Sequence, residues 1–471
     1  MENKSIYPKD FLWGVASSAY QSEGAYKEDG KSLSNQDKLN GTNGFHDTTV
    51  TADFYHHYKE DIKLMAEMGL KSFRFSISWS RLFPDGETYN PKGGEFYNSV
   101  IDELLKYNIT PMITIYHFEH PQVLQDKFNG WYSEQMIDYY MIFAKKVFEL
   151  YGDRVKYYLT ICEQNNVVIY PHLIGGYPEG VDIERWRMQV LRVMSLCSAK
   201  AIKLCHKMIP DAKIGACYSF PPSYPASSSP EDVIAAMNEN DHRDFYGMDL
   251  VYKHYQKPWI VNYYKEKGID IELSQSDIET LSDCKPDFIA YNYYRSNTAK
   301  ECPKEVETVQ PKFNLSGKKG NITYSKFPGL YQNCANEHLE KNEWDWAIDA
   351  KGLYISLRML YDRYNLPIMV VENGLGAYDK VENGLINDEC RIDYLKKHIE
   401  QLTRAISDGI EVWGYYIWSF TDVMSTSNGF SKRYGLVYVD RTDDDPKQCK
   451  RVCKNSYYWY KDVIKKNGGI D

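Results

Sequence analysis

No run of about eighteen apolar residues, the least a spanning helix needs, occurs anywhere in the chain, so no membrane span is expected. The N-terminal stretch "MENKSIYPKDFLWG" lacks the apolar core of a secretory signal. Basic charge is also in deficit. Lys and Arg number 56 against 65 Asp and Glu, giving a net charge of -9 and a pI near 5.8 with no basic block, so nucleic acid is not an expected partner. The 10 cysteines are scattered, and the closest pair, Cys449 and Cys453, has no second pair to complete a zinc site, so no metal is expected. Cys162, Cys197 and Cys217 sit in apolar segments and read as small core residues. Reduced thiols fit a cytoplasmic protein, in which the sequons at Asn314 and Asn321 go unused. No Pro/Gly/Ser linker or low-complexity tract divides the 471 residues, which read as one domain, 1–471.

Tyr, by contrast, is abundant, at 41 residues with 10 Trp, which suits both buried packing and sugar-stacking platforms. Short β-rich apolar runs recur at 11–17, 72–79, 109–118, 157–163, 213–219, 287–294, 367–373 and 412–420. Between them lie helical patterns such as "TADFYHHYKEDIKLMAEMG", "SEQMIDYYMIFAKKVFELYG" and 388–409. The first two end at Gly, as a C-cap does. Strands alternating with helices imply a parallel sheet, and eight such units imply an α/β fold of the (β/α)8 TIM barrel type. The non-periodic stretch 300–345, after the sixth strand, reads as an elaborated βα loop on the upper rim.

Chemistry in such barrels sits at the C-terminal ends of the strands. Those ends carry Gln21 and Glu23, then Arg74, then His117, Phe118 and Glu119 with Trp131 beyond. They continue with Glu163, Asn292 and Tyr294, Glu372 and Asn373, and Trp418. A lone carboxylate or imidazole is usually structural, but polar and aromatic residues converging from seven of eight strands describe a small-molecule site. Two glutamates at strand ends four and seven are what glycoside hydrolysis requires, and retaining enzymes keep the carboxyls only about 5 Å apart. Strands four and seven face each other across the mouth, which suits that separation. Arg74 and Tyr294 are expected to keep Glu372 ionised, and the less polar surroundings of Glu163 to raise its pKa as an acid requires.

"FLWGVASSAYQSEGA", "FRFSISWSRLFP", "YHFEHP", "LTICEQNN", "IAYNYY", "VVENGLGAYD" and "IWSFTD" resemble, in order and over almost the whole chain, the landmarks of glycoside hydrolase family 1. The resemblance implies Glu372, in "ENG", as nucleophile and Glu163, in "TICEQ", as acid/base, with no metal or organic cofactor. It implies Gln21, His117, Asn292, Tyr294 and Trp418 as glycone-binding residues, and Trp346, just past the long loop, as a further substrate contact. The family usually has Asn before the acid/base glutamate, whereas Cys162 stands here. A thiol is a weak donor, so Asn165 and Asn166 are candidates to replace that contact.

After the eighth strand comes "SFTDVMSTSNGFSKRYG". Members of the family that act on plain sugars present a Glu and a Trp in this loop, where Ser425 and Thr426 stand. A carboxylate there repels a phosphate, while a serine hydroxyl donates to it. Ser425, Lys432 and Tyr434 resemble the phosphate clamp of the 6-phospho-β-glycosidase branch, with Lys as a compact point charge and backbone N–H groups as an anion nest. Arg433 is expected to point away. The small Thr426 favours glucose over galactose. The expectation is a retaining, cytoplasmic 6-phospho-β-glucosidase acting on a small-molecule 6-phosphorylated β-glucoside imported through a phosphotransferase system. The alternatives are a β-glucosidase or 6-phospho-β-galactosidase on the same machinery, or a non-catalytic sugar-phosphate binding protein. The aglycone is not readable, and a homo-oligomer is left open.

Overall fold

The eight apolar runs become eight parallel strands in a computed structural model that describes residues 6–42 and 47–470, so residues 1–5 of the N-terminal stretch lie outside it. The strands are β1 (Leu12–Ala16), β2 (Ser72–Ser76), β3 (Thr110–Tyr116) and β4 (Tyr157–Ile161). They continue with β5 (Lys213–Gly215 and Cys217–Ser219), β6 (Ile289–Asn292), β7 (Ile368–Asn373) and β8 (Val412–Trp418). Every neighbouring pair is parallel, with Leu12 opposite Gly414 of β8 and Gly14 opposite Ser72 of β2. The two ends of the sheet are the two halves of β5, one paired with β4 and the other with β6, so the sheet closes on itself through Ala216. At that break Tyr252 takes over, donating to the Ala216 carbonyl at 2.8 Å and accepting from its N–H at 3.2 Å. The sequence read 213–219 as one unbroken strand and carried no signal for this interruption.

The barrel interior is a packed core of Met112, Leu159, Cys162, Cys217, Met369 and Tyr416, all fully buried. Gly14 faces Tyr416, and a β-carbon there would lie 2.4 Å from the ring. A larger apolar layer lies between sheet and helices. The helix Phe54–Met68 buries Phe54, Ile62, Met65 and Met68 on one stripe and ends at Gly69 with φ +84°, the left-handed cap its sequence pattern implied. Helix Gln135–Tyr151 also stops at Gly, but Gly152 has φ -66° and is not a left-handed cap. Its glycine answers to space instead, since a β-carbon would meet Ile209 Cδ1 at 2.5 Å.

The stretch after β6 is an elaborated loop, as read. Asn297–Lys300, Lys326–Phe327 and Tyr331–Asn333 join Ser223–Pro225 in a small sheet over the upper rim. The Asp345 carboxylate then draws the loop together, accepting from the N–H groups of Gly320, Asn321 and Ile322 at 2.6, 3.0 and 3.1 Å. It also accepts from Asn314 Nδ2 at 2.8 Å. The Asn314 amide is therefore committed to the fold rather than open to glycosylation. No helix among the described residues is long and apolar enough to cross a membrane.

Candidate active site

A cavity of about 130 Å³ opens at the C-terminal mouth of the barrel. It is lined by Gln21, His117, Glu163, Asn292, Tyr294, Trp346, Glu372 and Trp418, and by Ser425, Thr426, Lys432 and Tyr434. Arg74 lies beneath this floor, fully buried.

Backbone irregularity aims both glutamates. The register of β7 slips against β6 between Val370 and Glu372, and against β8 between Val370 and Asn373, as at a bulge that re-aims a side chain. Glu372 thereby meets the Arg74 guanidinium and accepts from the Tyr294 hydroxyl at 2.5 Å. Burial and the Glu372 charge push Tyr294 well above the usual phenol range, so it stays a donor. At the end of β4, Glu163 has φ +46°, a left-handed conformation uncommon for a residue with a β-carbon. It accepts from Asn292 Nδ2 at 2.8 Å and Asn166 Nδ2 at 2.5 Å. Burial, and then the Glu372 charge, push Glu163 up to about 7, enough to outweigh those two donors.

Cys162 differs from its reading as a plain core residue. It is fully buried, but its sulfur accepts from Arg74 Nη2 at 3.1 Å and lies 3.7 Å from both Glu372 Oε1 and Asn292 Nδ2. Burial and the neighbouring Cys217 keep this thiol protonated. Of the two asparagines considered as replacement donors, Asn166 reaches Glu163, whereas Asn165 turns away to Ser219 O and Asp244. His117, Cys162 and Glu372 bring ligand-type atoms within 4.8 Å of one another. The Arg74 guanidinium already occupies the sulfur and the carboxylate, so this cluster suits a fixed organic cation better than a metal ion.

Several polar groups of the cavity wall are held from behind. Gln21 accepts from Ser18 Oγ at 2.7 Å and donates to Met424 O at 2.8 Å. Thr426 Oγ1 lies 3.1 Å from Tyr20 Oη. His117 Nδ1 has no partner among the described residues, and burial with the nearby Arg74 keeps the imidazole neutral. The Trp418 ring lies 5.9 Å from it.

Four polar or aromatic strand-end residues turn out to be structural. Glu23 accepts from Tyr97 Oη at 2.6 Å and Arg81 Nε at 3.2 Å. Glu119 accepts from the N–H groups of Trp79 and Ser80 at 3.0 and 3.1 Å, Trp131 packs against Trp79, and Asn373 ties Tyr293 O to Tyr415.

In the loop after β8, Ser425 and Gly429 bridge each other, placing Ser425 at the cavity wall. Lys432 is 1 % exposed, its ammonium 3.6 Å above the Trp346 ring and 5.0 Å from Trp344. No carboxylate or hydrogen-bond acceptor among the described residues reaches it, and burial, with Arg295 nearby, holds it well below the usual lysine range. Arg433 points away, pairing with Asp422 at 2.8 Å. Sequence reasoning missed Trp344, Arg243 and Arg295. Arg295 directly follows Tyr294 at a strand end and was findable, whereas Arg243 sits in the π-helical turn Asn240–Phe245, where no strand marks it.

The sequence model of glycosyl hydrolase family 1 matches residues 3–469. The chain is 42% identical over 477 residues to the aryl-phospho-beta-D-glucosidase BglC of Bacillus subtilis, with 99% of each chain covered. It is 40% identical over 481 residues to a 6-phospho-beta-glucosidase of Clostridium longisporum, with 98% of each covered. Among solved structures, the family 1 β-glucosidase of Thermotoga maritima superposes with a TM-score of 0.86 at 32% identity, over 100% of both chains. Barrel, strand-end carboxylates and whole-length likeness agree: the chain belongs to glycosyl hydrolase family 1.

Proposed function

We propose that the chain is a retaining 6-phospho-β-glucosidase. The observation that carries the phosphate is Lys432: a buried lysine with no anionic partner among the described residues, in the same cavity as Glu163 and Glu372. An unpaired buried charge is unfavourable, and a phosphate on the sugar's 6-position, between Ser425, Lys432 and Tyr434, supplies the missing anion. The relatives named as phospho-glucosidases support the same reading.

In this reading Glu372 attacks the anomeric carbon as the glycosidic bond breaks, and Glu163 gives its proton to the departing oxygen. Arg74 and Tyr294 hold the nucleophile in place until the covalent glycosyl-enzyme forms. Glu163, now a carboxylate, takes a proton from water as that water attacks the anomeric carbon and releases Glu372. Cys162 leaves the 2-hydroxyl without the usual amide donor beside the acid, and Asn166 is the nearer substitute. Gln21, His117, Asn292 and Trp418 bind the glycone, and Trp346 walls it. A doubly charged sugar phosphate does not cross a membrane unaided, so we place the enzyme in the cytoplasm with the uptake system that phosphorylates its substrate. All 10 cysteines, which are free, fit that compartment. The direct test compares nitrophenyl β-glucoside and β-galactoside, each with and without a 6-phosphate. The phosphorylated glucoside is expected to be the best of the four.

A further inference from the structure

Beside the catalytic cavity lies a second one of about 50 Å³, and the walls of the two share Tyr170, Arg243 and Arg295. Arg243 is 5 % exposed, yet its Nε and Nη1 have no hydrogen-bond partner among the described residues. The one hydrogen bond of its guanidinium among the described residues, from Nη2 to Asn166 Oδ1, is long at 3.4 Å, and Asn166 in turn holds Glu163. Arg243 therefore stands two contacts from Glu163, the residue read as protonating the departing group. The carboxylate beside it, Asp244 Oδ1, is 3.9 Å from Nε, beyond hydrogen-bond reach, and burial pushes that carboxyl up to about 8. Two further carboxylates line the second cavity; neither hydrogen-bonds Arg243, although the charges of Asp244 and Glu239 both act on it. Glu239 accepts from Ser223 Oγ, Asn297 Nδ2 and Asn333 Nδ2 at 2.5, 2.8 and 2.8 Å. Asp345 is taken up by the backbone N–H groups that close the loop above. Arg295 adds a second guanidinium, 5.3 Å over the Trp346 ring and 3.4 Å from Tyr170 Oη.

Two guanidiniums converge here with donors to spare, and planar, forked donors of this kind match a carboxylate. We propose that Arg243 and Arg295 form an anion-binding aglycone subsite, so that the enzyme selects 6-phospho-β-glucosides whose aglycone bears a carboxylate. The proposal rests on the phospho-glucosidase reading for its substrate and extends it to the leaving half.

Two substrates of equal size and similar leaving-group acidity test it: the 6-phospho-β-glucosides of 4-hydroxyphenylacetate and of 4-hydroxyphenylacetamide. Wild type is expected to favour the acid over the amide by about tenfold or more in kcat/KM, the lower range of a charge-assisted contact. Arg243→Gln and Arg295→Gln are each expected to bring that ratio toward one, and Arg243→Lys to keep part of it. A wild-type ratio of one or below overturns the proposal without any variant, as does a preference that neither glutamine variant reduces. If Arg295→Gln instead lowers the advantage of phosphorylated over plain glucosides and leaves the acid/amide ratio alone, Arg295 belongs to the phosphate site and the paired subsite is wrong. Measuring the same pair without the 6-phosphate separates the two readings. An acid preference among plain glucosides, with no gain from the phosphate, supports the subsite while contradicting the phosphate reading.

Discussion

Glu163 and Glu372 differ by surroundings rather than by chemistry. One lies against Arg74 and a phenol; the other is held by two amides in a desolvated pocket that raises its pKa to about 7. This asymmetry supports the roles proposed for them. If Glu372 is the nucleophile as proposed, Glu372→Gln is expected to lower kcat by several powers of ten while phosphosugar binding survives. Retention of more than about a tenth of the rate excludes covalent catalysis at this residue. For Glu163 the free enzyme must be protonated, so kcat/KM should fall as pH rises through about 7. Glu163→Ala should lose that alkaline limb and be far slower on poor leaving groups than on activated ones, with azide restoring the latter. An equal defect for both leaving groups assigns the proton to another residue. Both glutamates were legible because each ends an apolar strand within a motif. The role of Cys162 was half legible: its burial followed from the apolar run, but its contact with Arg74 depends on how β2 and β4 sit across the barrel.

At the scale of elements, the loops after β7 and β8 act as one device. Ala377 and Arg433 bridge each other, and Gly376 lies directly under Lys432 and Tyr434 of the loop after β8. A β-carbon at 376 would stand 2.5 Å from Lys432 Cε and 2.8 Å from both Lys432 Cγ and Tyr434 Cζ. Gly376→Ala should therefore displace the ammonium and phenol together, lowering kcat/KM more for a phosphorylated than for a plain glucoside. Equal loss on both substrates means that the two loops are coupled only through general packing. The strands were readable because eight apolar runs alternate with amphipathic helices. The break in β5, the space requirement at Gly152 and the position of Arg243 were not, since each is decided by a residue distant in sequence: Tyr252, Ile209 and the neighbours of the second cavity.

For the molecule as a whole, the site is maintained against the stability of the fold. Glu163 has a folded pKa of about 7 against 4.5 for the free side chain, so the fold prefers its neutral form. Below pH 4.5 both states hold the proton and there is no penalty. Between 4.5 and about 7 the unfolded chain ionises first, and this contribution to stability declines with rising pH. Glu163→Gln should therefore gain stability over wild type from acid to pH 8, by on the order of 3 kcal/mol, in denaturant titrations at both ends. A difference independent of pH means that the carboxyl ionises freely in the folded state.

Phosphate binding by the loop after β8, as proposed, sets the substrate. The most direct measurement is the ratio of kcat/KM for 6-phosphorylated over plain nitrophenyl β-glucoside, in wild type, Lys432→Ala and Ser425→Glu. A charge-assisted contact contributes about 1.5–3 kcal/mol, so the ratio should be well above one in wild type and fall roughly 10- to 200-fold in Lys432→Ala. The loss should fall on the phosphorylated substrate, and Ser425→Glu should shift preference further toward the plain sugar. A wild-type ratio near one, or a ratio that Lys432→Ala leaves unchanged, would mean that this loop does not hold a phosphate.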